Sequence, residues 1–219
     1  MREIIEVIEP GLFSTIQDLG RYGYQRYGVP VSGAMDSQAM RMANILLGNE
    51  EGAATLEITL IGPKLRFLEE SIIALCGADL VPRVNGEVVT MYSSFKVRKG
   101  SILSFDGPSA GSRCYMAVPN GFHVPTIMQS KSTYVQGSIG GYEGRTLRSG
   151  DLLSCFQVQQ SGSLRSMRVP ETFVPLYTHD YKLNVIMGPQ CDAFPQTSIH
   201  TFLNETYTIT NQSDRIGYR

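Results

Sequence analysis

Tryptophan is absent from these 219 residues, and only four cysteines and three histidines occur. Each shortage excludes something. The longest apolar stretches, residues 45–47 and 72–76, fall far short of the roughly 20 residues that a membrane-spanning helix needs. Cys76, Cys114, Cys155 and Cys191 form no CxxC pair, and each stands in or near an apolar stretch, so buried thiols are expected. His123, His179 and His200 show no metal-ligand spacing, and no metal site is expected. Charge of one sign is also missing. Nineteen basic residues face 20 acidic ones, net −1, with no like-charge block that nucleic acid would need. The start, Met1-Arg2-Glu3-Ile4-Ile5-Glu6, places acids where a signal peptide needs an unbroken apolar segment. The expected compartment is the cytoplasm, with no membrane and no nucleic-acid partner.

What is present describes a β-rich chain. Hydrophobic residues at 42% and charged residues at 18% allow a core and exclude a disordered chain. Twenty-two glycines and 11 prolines punctuate short β-prone runs. Strands are expected at 4–8, 55–61, 71–75, 80–84, 93–97, 101–105, 113–118 and 152–158, separated by turn signals such as Lys99-Gly100 and Ser149-Gly150-Asp151. Asn85-Gly86 has the form of a two-residue hairpin, because both residues tolerate positive φ. Many short strands at this spacing imply a barrel or sandwich.

One helix stands out. Asp36 is placed to cap it, Ala39, Met40, Ala43, Leu46 and Leu47 recur on one face, and Gly48 can close it. A second helix is expected over 190–203. The polar stretch 159–171 reads as a linker or long loop, and a further β-run begins near 181, with strands at 182–187 and 206–210. Short echoes, Arg21-Tyr22-Gly23-Tyr24 against Arg215-Ile216-Gly217-Tyr218 among them, are compatible with tandem half-barrels or with chance. The strand at 206–210 lacks a following partner, which suggests a chain shortened at its C-terminus.

Four segments carry candidate chemistry. In the first, residues 10–23, Gln17 brings an amide, Asp18 an acceptor and Arg21 a planar five-donor fork; the alternative is an Asp–Arg pair bracing a turn. In the second, 28–36, Ser32, Gly33 and Met35 lead into the helix that Asp36 caps. Free N–H groups there suit an anion or a polarised amide oxygen, while simple capping is the competing reading. The third, 130–145, is glycine-rich but lacks the P-loop Gly-Lys-Ser/Thr, so it is either an unorthodox site or an ordered packing loop. The fourth, Ser213-Asp214-Arg215, repeats the Asp/Arg chemistry. No Ser-His-Asp set with a nucleophile elbow is present.

Taken together, Pro10-Gly11-Leu12-Phe13-Ser14-Thr15-Ile16-Gln17-Asp18-Leu19-Gly20-Arg21, Gly28-Val29-Pro30-Val31-Ser32-Gly33-Ala34-Met35-Asp36, Ala43-Asn44-Ile45-Leu46-Leu47-Gly48-Asn49, Leu56-Glu57, Ser130-Lys131-Ser132-Thr133-Tyr134, Gly144-Arg145-Thr146-Leu147-Arg148-Ser149-Gly150-Asp151, Gly188-Pro189-Gln190 with Phe194, and Ser213-Asp214-Arg215-Ile216-Gly217 resemble, in order along nearly the whole chain, the family of the 5-oxoprolinase C subunit, allophanate hydrolase subunit 2 and biotin-dependent carboxyltransferases. The resemblance implies a mainly β, cyclophilin-like β-barrel with few helices over 1–160, a linker over 161–180, and an incomplete second barrel module over 181–219. It also implies a protein that opens the lactam of 5-oxoproline to glutamate with ATP, the nucleotide bound here or elsewhere in the complex. The partners would be an A subunit and a B subunit related to a sporulation-kinase inhibitor. The alternatives are a carboxyltransferase component served by a biotin carrier, and a non-catalytic antagonist of that kinase inhibitor. Both reactions act on an amide-type group, whose oxygen needs donors as it gains negative charge. By residue type, Arg21 and Arg215, with Asp18 and Asp214, are the expected catalytic groups. Gln17, Ser32, Gly33, Met35 and Asp36 are the expected substrate-binding groups. Two departures from the family pattern are Pro119-Asn120-Gly121, where a Gly-Gly pair is expected, and Gln129-Ser130-Lys131, where Gly-Ser-Arg is usual.

Overall fold

A computed structural model describes residues 2–155, 166–178 and 180–210. The chain divides into two compact units, Met1–Tyr177 and Thr178–Arg219.

The first unit is built on two antiparallel sheets. Its strands are β1 (Arg2–Glu9), β2 (Phe13–Gln17), β3 (Thr55–Thr59), β4 (Lys64–Phe67), β5 (Ser71–Asp79), β6 (Pro82–Val84), β7 (Glu87–Val88), β8 (Ser93–Val97), β9 (Ile102–Phe105), β10 (Ala110–Ala117) and β11 (Leu152–Cys155). One sheet runs β11-β1-β4-β9-β6-β7 and the other β2-β3-β10-β5-β8. The mainly-β expectation is borne out in this form. The Asn85-Gly86 turn joins β6 to β7 with φ of 53° and 88°, the paired left-handed geometry expected of it. The segment 13–17, which its composition assigns to a polar turn, is instead a fully paired strand in register with β3. Phe-Ser-Thr-Ile-Gln hides the strand, since Ser14, Thr15 and Gln17 are polar yet buried. Lys64–Phe67 is a strand that the turn signals do not reveal; its alternating Lys-Leu-Arg-Phe pattern places Leu65 and Phe67 in the core.

Period-two alternation distributes the core over the two faces of the second sheet. Ile73 and Leu75 of β5, Leu56 and Ile58 of β3, and Cys114 and Met116 of β10 join Ile5, Val7, Leu65 and Phe67 of the opposing sheet in one cluster. The intervening Ala74, Cys76, Tyr115 and Ala117 point the other way and meet helix α1 (Ser37–Ile45) through Ala39, Met40, Ala43 and Leu46. Small residues on that face let the helix lie close. Asp36 caps α1 as expected, accepting from Ala39 N–H at 2.9 Å. Gly48, at φ 67°, ends the turn that follows, where Gly48 N–H bonds Ile45 C=O. After α1, Asn44 and Asn49 stitch the loop. Asn44 donates to Glu51 and Ala53 carbonyls, and Asn49 reaches Val118 C=O at 2.8 Å.

The free edge of β8 is covered. Ser94 N–H donates to Met167 C=O at 2.8 Å, Ser93 bridges Arg168, and Val169 N–H donates to Tyr92 C=O. This strap ends in a turn over Glu171–Phe173 and at Tyr177, whose hydroxyl reaches Asp36 at 3.0 Å.

In the second unit, a turn over Cys191–Ala193 precedes helix α2 (Gln196–Asn204). The expected helix thus starts later, after Pro195, which stands at its N-cap where a missing N–H costs nothing. The strands expected at 182–187 and 206–210 are not formed: those residues are exposed and carry no ladder pairing among the described residues. An apolar run alone does not make a strand without a partner edge. Among the described residues, no helix is long and apolar enough to cross a membrane.

Candidate functional site

The end of β2 delivers Gln17 and Asp18 to a junction of three loops. Asp18 organises it. Its carboxylate accepts from Gly20 N–H (2.8 Å), Ser130 Oγ–H (2.7 Å), Lys131 N–H (2.6 Å) and Ser132 Oγ–H. Its own N–H donates to Ser132 Oγ, and its C=O accepts from Ala34 N–H. One carboxylate therefore ties the 18–21 turn to the segment 130–132, over 110 residues away in sequence. The backbone also ties it to the loop entering α1. Charge-assisted bonds of this kind are roughly twice as strong as neutral ones.

Arg21 closes the junction from the other side and is fully buried. Its N–H groups donate to Ser132 C=O and, at 3.3 Å, to Ser32 Oγ, while its backbone N–H donates to Val31 C=O at 2.7 Å. Nε finds no acceptor among the described residues. Desolvation lowers the pKa of this guanidinium, an effect partly countered by the nearby Asp18 charge. Gln17, equally buried, donates to Thr15 Oγ1 and Thr133 C=O and leaves Oε1 without a partner among the described residues. One donor and one acceptor thus remain unused in the interior, each a cost of about 1–3 kcal/mol.

The glycine-rich third segment packs directly behind this junction. A Cβ on Gly140 would meet Ser132 O at 2.2 Å and Arg21 Nη2 at 2.6 Å, and one on Gly141 would meet Thr133 Oγ1 at 1.8 Å. Its glycines are there for close approach to the chain that holds Asp18. Arg145, at the end of the segment, forks onto Asp151 at 2.7 and 2.8 Å.

The loop into α1 is held from below. Ser32 and Gly33 both adopt left-handed φ, 57° and 87°. A Cβ on Gly33 would lie 2.9 Å from the Leu19 carbonyl, so the 18–21 and 31–34 loops touch backbone to backbone. The N–H groups that the sequence offers to a ligand are already engaged. Ala34 N–H bonds Asp18 C=O, Met35 N–H bonds Glu57 Oε2 at 2.9 Å, and Asp36 N–H bonds Tyr115 Oη at 2.7 Å. Asp36 is consumed by its cap and by Tyr177.

Of the expected residues, Gln17, Asp18, Arg21, Ser32, Gly33, Met35 and Asp36 therefore share one locale, with Arg21 touching Ser32 directly. Asp214 and Arg215 lie outside the described residues. Two further groups stand there that residue type alone does not single out. Lys131 is half-buried, and its ammonium makes no hydrogen bond or ion pair among the described residues. Glu57 is a fully buried carboxylate on the helix-facing side of β3. The signal for Glu57 is legible in the sequence: Leu56 and Ile58 alternate inward, so an acid between them faces the other side, with Thr55 and Thr59.

Comparison with known proteins supplies the family. The chain is 34% identical over 222 residues to urea amidolyase of Saccharomyces cerevisiae, covering 98% of itself but 12% of that protein. It is 32% identical over 216 residues to the C subunit of 5-oxoprolinase from Escherichia coli, covering 99% of itself and 68% of that protein. The crystal structure of Kluyveromyces lactis urea carboxylase superposes with a TM-score of 0.89 at 36% identity, over 99% of this chain and 20% of that one. The family described as carboxyltransferase domain, subdomain A and B, matches residues 27–219, and the chain belongs to it.

Proposed function

We propose that this chain works as the C subunit of an ATP-dependent 5-oxoprolinase, opening the lactam of 5-oxoproline to glutamate together with A and B subunits, with ATP bound within the complex. The extent of the likeness supports this reading, since the chain corresponds to 68% of a protein named for that role. The observation that carries its chemistry is the Arg21 guanidinium. It is charged, buried, oriented by Ser132 and Ser32, and has one N–H in reserve. A fixed donor in a water-poor site stabilises a carbonyl oxygen that gains negative charge far better than one in water. In this reading Arg21 Nε serves the lactam oxygen while Ser132 and Ser32 keep the rest of the fork in place. Asp18 holds the geometry, and Gln17 Oε1 accepts from the lactam N–H. The Lys131 ammonium meets the substrate carboxylate.

The test is ATP-dependent release of glutamate from 5-oxoproline by the chain mixed with A and B subunits. Arg21→Lys keeps the charge and loses the fork, and is expected to lower kcat about 100-fold, the typical loss on removing one oxyanion donor. Absence of turnover with intact partners overturns the reading. A second reading, a carboxyltransferase component that passes CO2 from carboxybiotin to urea, is favoured by the 0.89 superposition on urea carboxylase. It uses the same donor on the urea oxygen. Transfer from a biotinylated carrier to urea, without lactam turnover, selects it.

A further inference from the structure

Glu57 is buried without any exposure, and burying a charge is unfavourable unless its partners are well placed. A hydrophobic residue would be cheaper at that point of the sheet if packing were the sole requirement. The partners explain its presence. Arg113 approaches Oε1 at 3.2 Å from the partly exposed side, and also reaches Thr59 Oγ1 at 2.7 Å. Tyr115, opposite Glu57 in the β10–β3 register, donates its hydroxyl to Oε2 at 2.8 Å. Burial and the Glu57 charge both raise the pKa of that phenol, which therefore stays protonated and able to donate. Oε2 also accepts from Met35 N–H, and Tyr115 Oη accepts from Asp36 N–H. Two consecutive backbone N–H groups of one loop are thus fastened to a single buried carboxylate, one directly and one through a tyrosine.

The loop so fastened carries the left-handed Ser32-Gly33 pair, and Ser32 Oγ accepts from Arg21 Nη1. Left-handed φ at a non-glycine residue is strained and persists only where the surroundings over-determine it. Glu57 and Tyr115 provide that determination at Met35 and Asp36, and Asp18 C=O does so at Ala34. We infer that Glu57, with Tyr115 as its relay, is a positioning residue that sets Ser32 against Arg21 by pinning the Met35 and Asp36 N–H groups from beneath the loop. It touches no substrate. Its activity consequence rests on the amide-carbonyl reading above; its effect on the loop does not.

The test uses the full chain as Glu57→Gln, Tyr115→Phe and Ser32→Ala, with Glu57→Gln/Ser32→Ala as a double variant. Hydrogen exchange of the amides over 32–36 is read first, since it needs no turnover. Faster exchange there in Glu57→Gln and in Tyr115→Phe, with the amides of β5 and β10 still protected, is the expected result. Unchanged protection of 32–36 overturns the inference whatever the reaction proves to be. In the assembled complex, kcat is expected to fall about 10- to 100-fold in Glu57→Gln with the KM for ATP unchanged, the scale of a misplaced catalytic group. Ser32→Ala should then add little in the Glu57→Gln background, because the first change has already released Ser32. Fully multiplicative losses would show two independent roles and overturn it. A wild-type complex without lactam turnover sinks the functional reading alone, and the exchange measurement still decides the role of Glu57.

Discussion

At the scale of single residues, Asp18 is the group on which most depends. Its carboxylate gathers four donors from two stretches of chain, and those donors lose their acceptor together if it is removed. Asp18→Ala is expected to destabilise the protein by about 1–3 kcal/mol, the scale for leaving donors without their acceptor at this half-buried junction. Chemical denaturation measures it, and a loss under about 1 kcal/mol, the range of an exposed pair, would contradict the brace. Asp151 gives a prediction in pH. Burial alone would raise its pKa, but the Arg145 fork, the Arg148 N–H and the positive charge of both arginines outweigh burial and hold it below the usual carboxylate range. A depressed carboxyl stabilises the fold above its unfolded pKa of about 3.9 and loses that contribution as pH falls through the lower folded value. Asp151→Asn should accordingly flatten the acid limb of stability below about pH 4 while lowering stability at neutrality. Thiol chemistry separates the cysteines in the same way. Cys76 and Cys114 are buried with their thiol pKa raised by desolvation, and burial pushes Cys155 up to about 11. Cys191 is only half-buried, a departure from the expectation that all four are sealed. Iodoacetamide on the native protein should modify Cys191 first, as mass spectrometry of the labelled peptides can show.

At the scale of elements, α1 is legible in the sequence almost residue by residue, because its cap, its apolar stripe and its glycine stop are all local signals. Most strands are visible for the same reason. β2 is not, because three of its four buried positions are polar, and burial of a serine, a threonine and a glutamine is decided by distant partners at 55–59 and 130–133. The candidate site follows that division. Asp18, Arg21 and Ser32 stand out by residue type, and their convergence is a property of tertiary contacts. What the sequence does not disclose is who answers them: the Ser130–Ser132 backbone and hydroxyls, and the Glu57–Tyr115 pair beneath. Asp36 lies where both kinds of information meet. Local reading identifies the cap, and the structure adds Tyr177, which holds the second carboxylate oxygen. Asp36→Ala should lower stability by about 1–2 kcal/mol, near the upper end for a cap, and Tyr177→Phe by less. Equal losses in the two variants would mean that the cap bond itself contributes nothing.

At the scale of the whole molecule, both apolar clusters belong to Met1–Tyr177, with no buried residue among those described in the second unit. A fragment of residues 1–177 is therefore expected to unfold in a single cooperative transition by calorimetry. Loss of that transition in the fragment would show that the second unit is needed for the fold of the first. The strap along β8 bears on conduct in solution. An uncovered strand margin is a template on which other chains add, and here residues 167–169 occupy that margin. The protein thus carries its own bandage against stacking with its neighbours. Cutting the chain within 167–169 is expected to bare that margin and leave it open to a strand from another molecule, which light scattering after limited proteolysis would register.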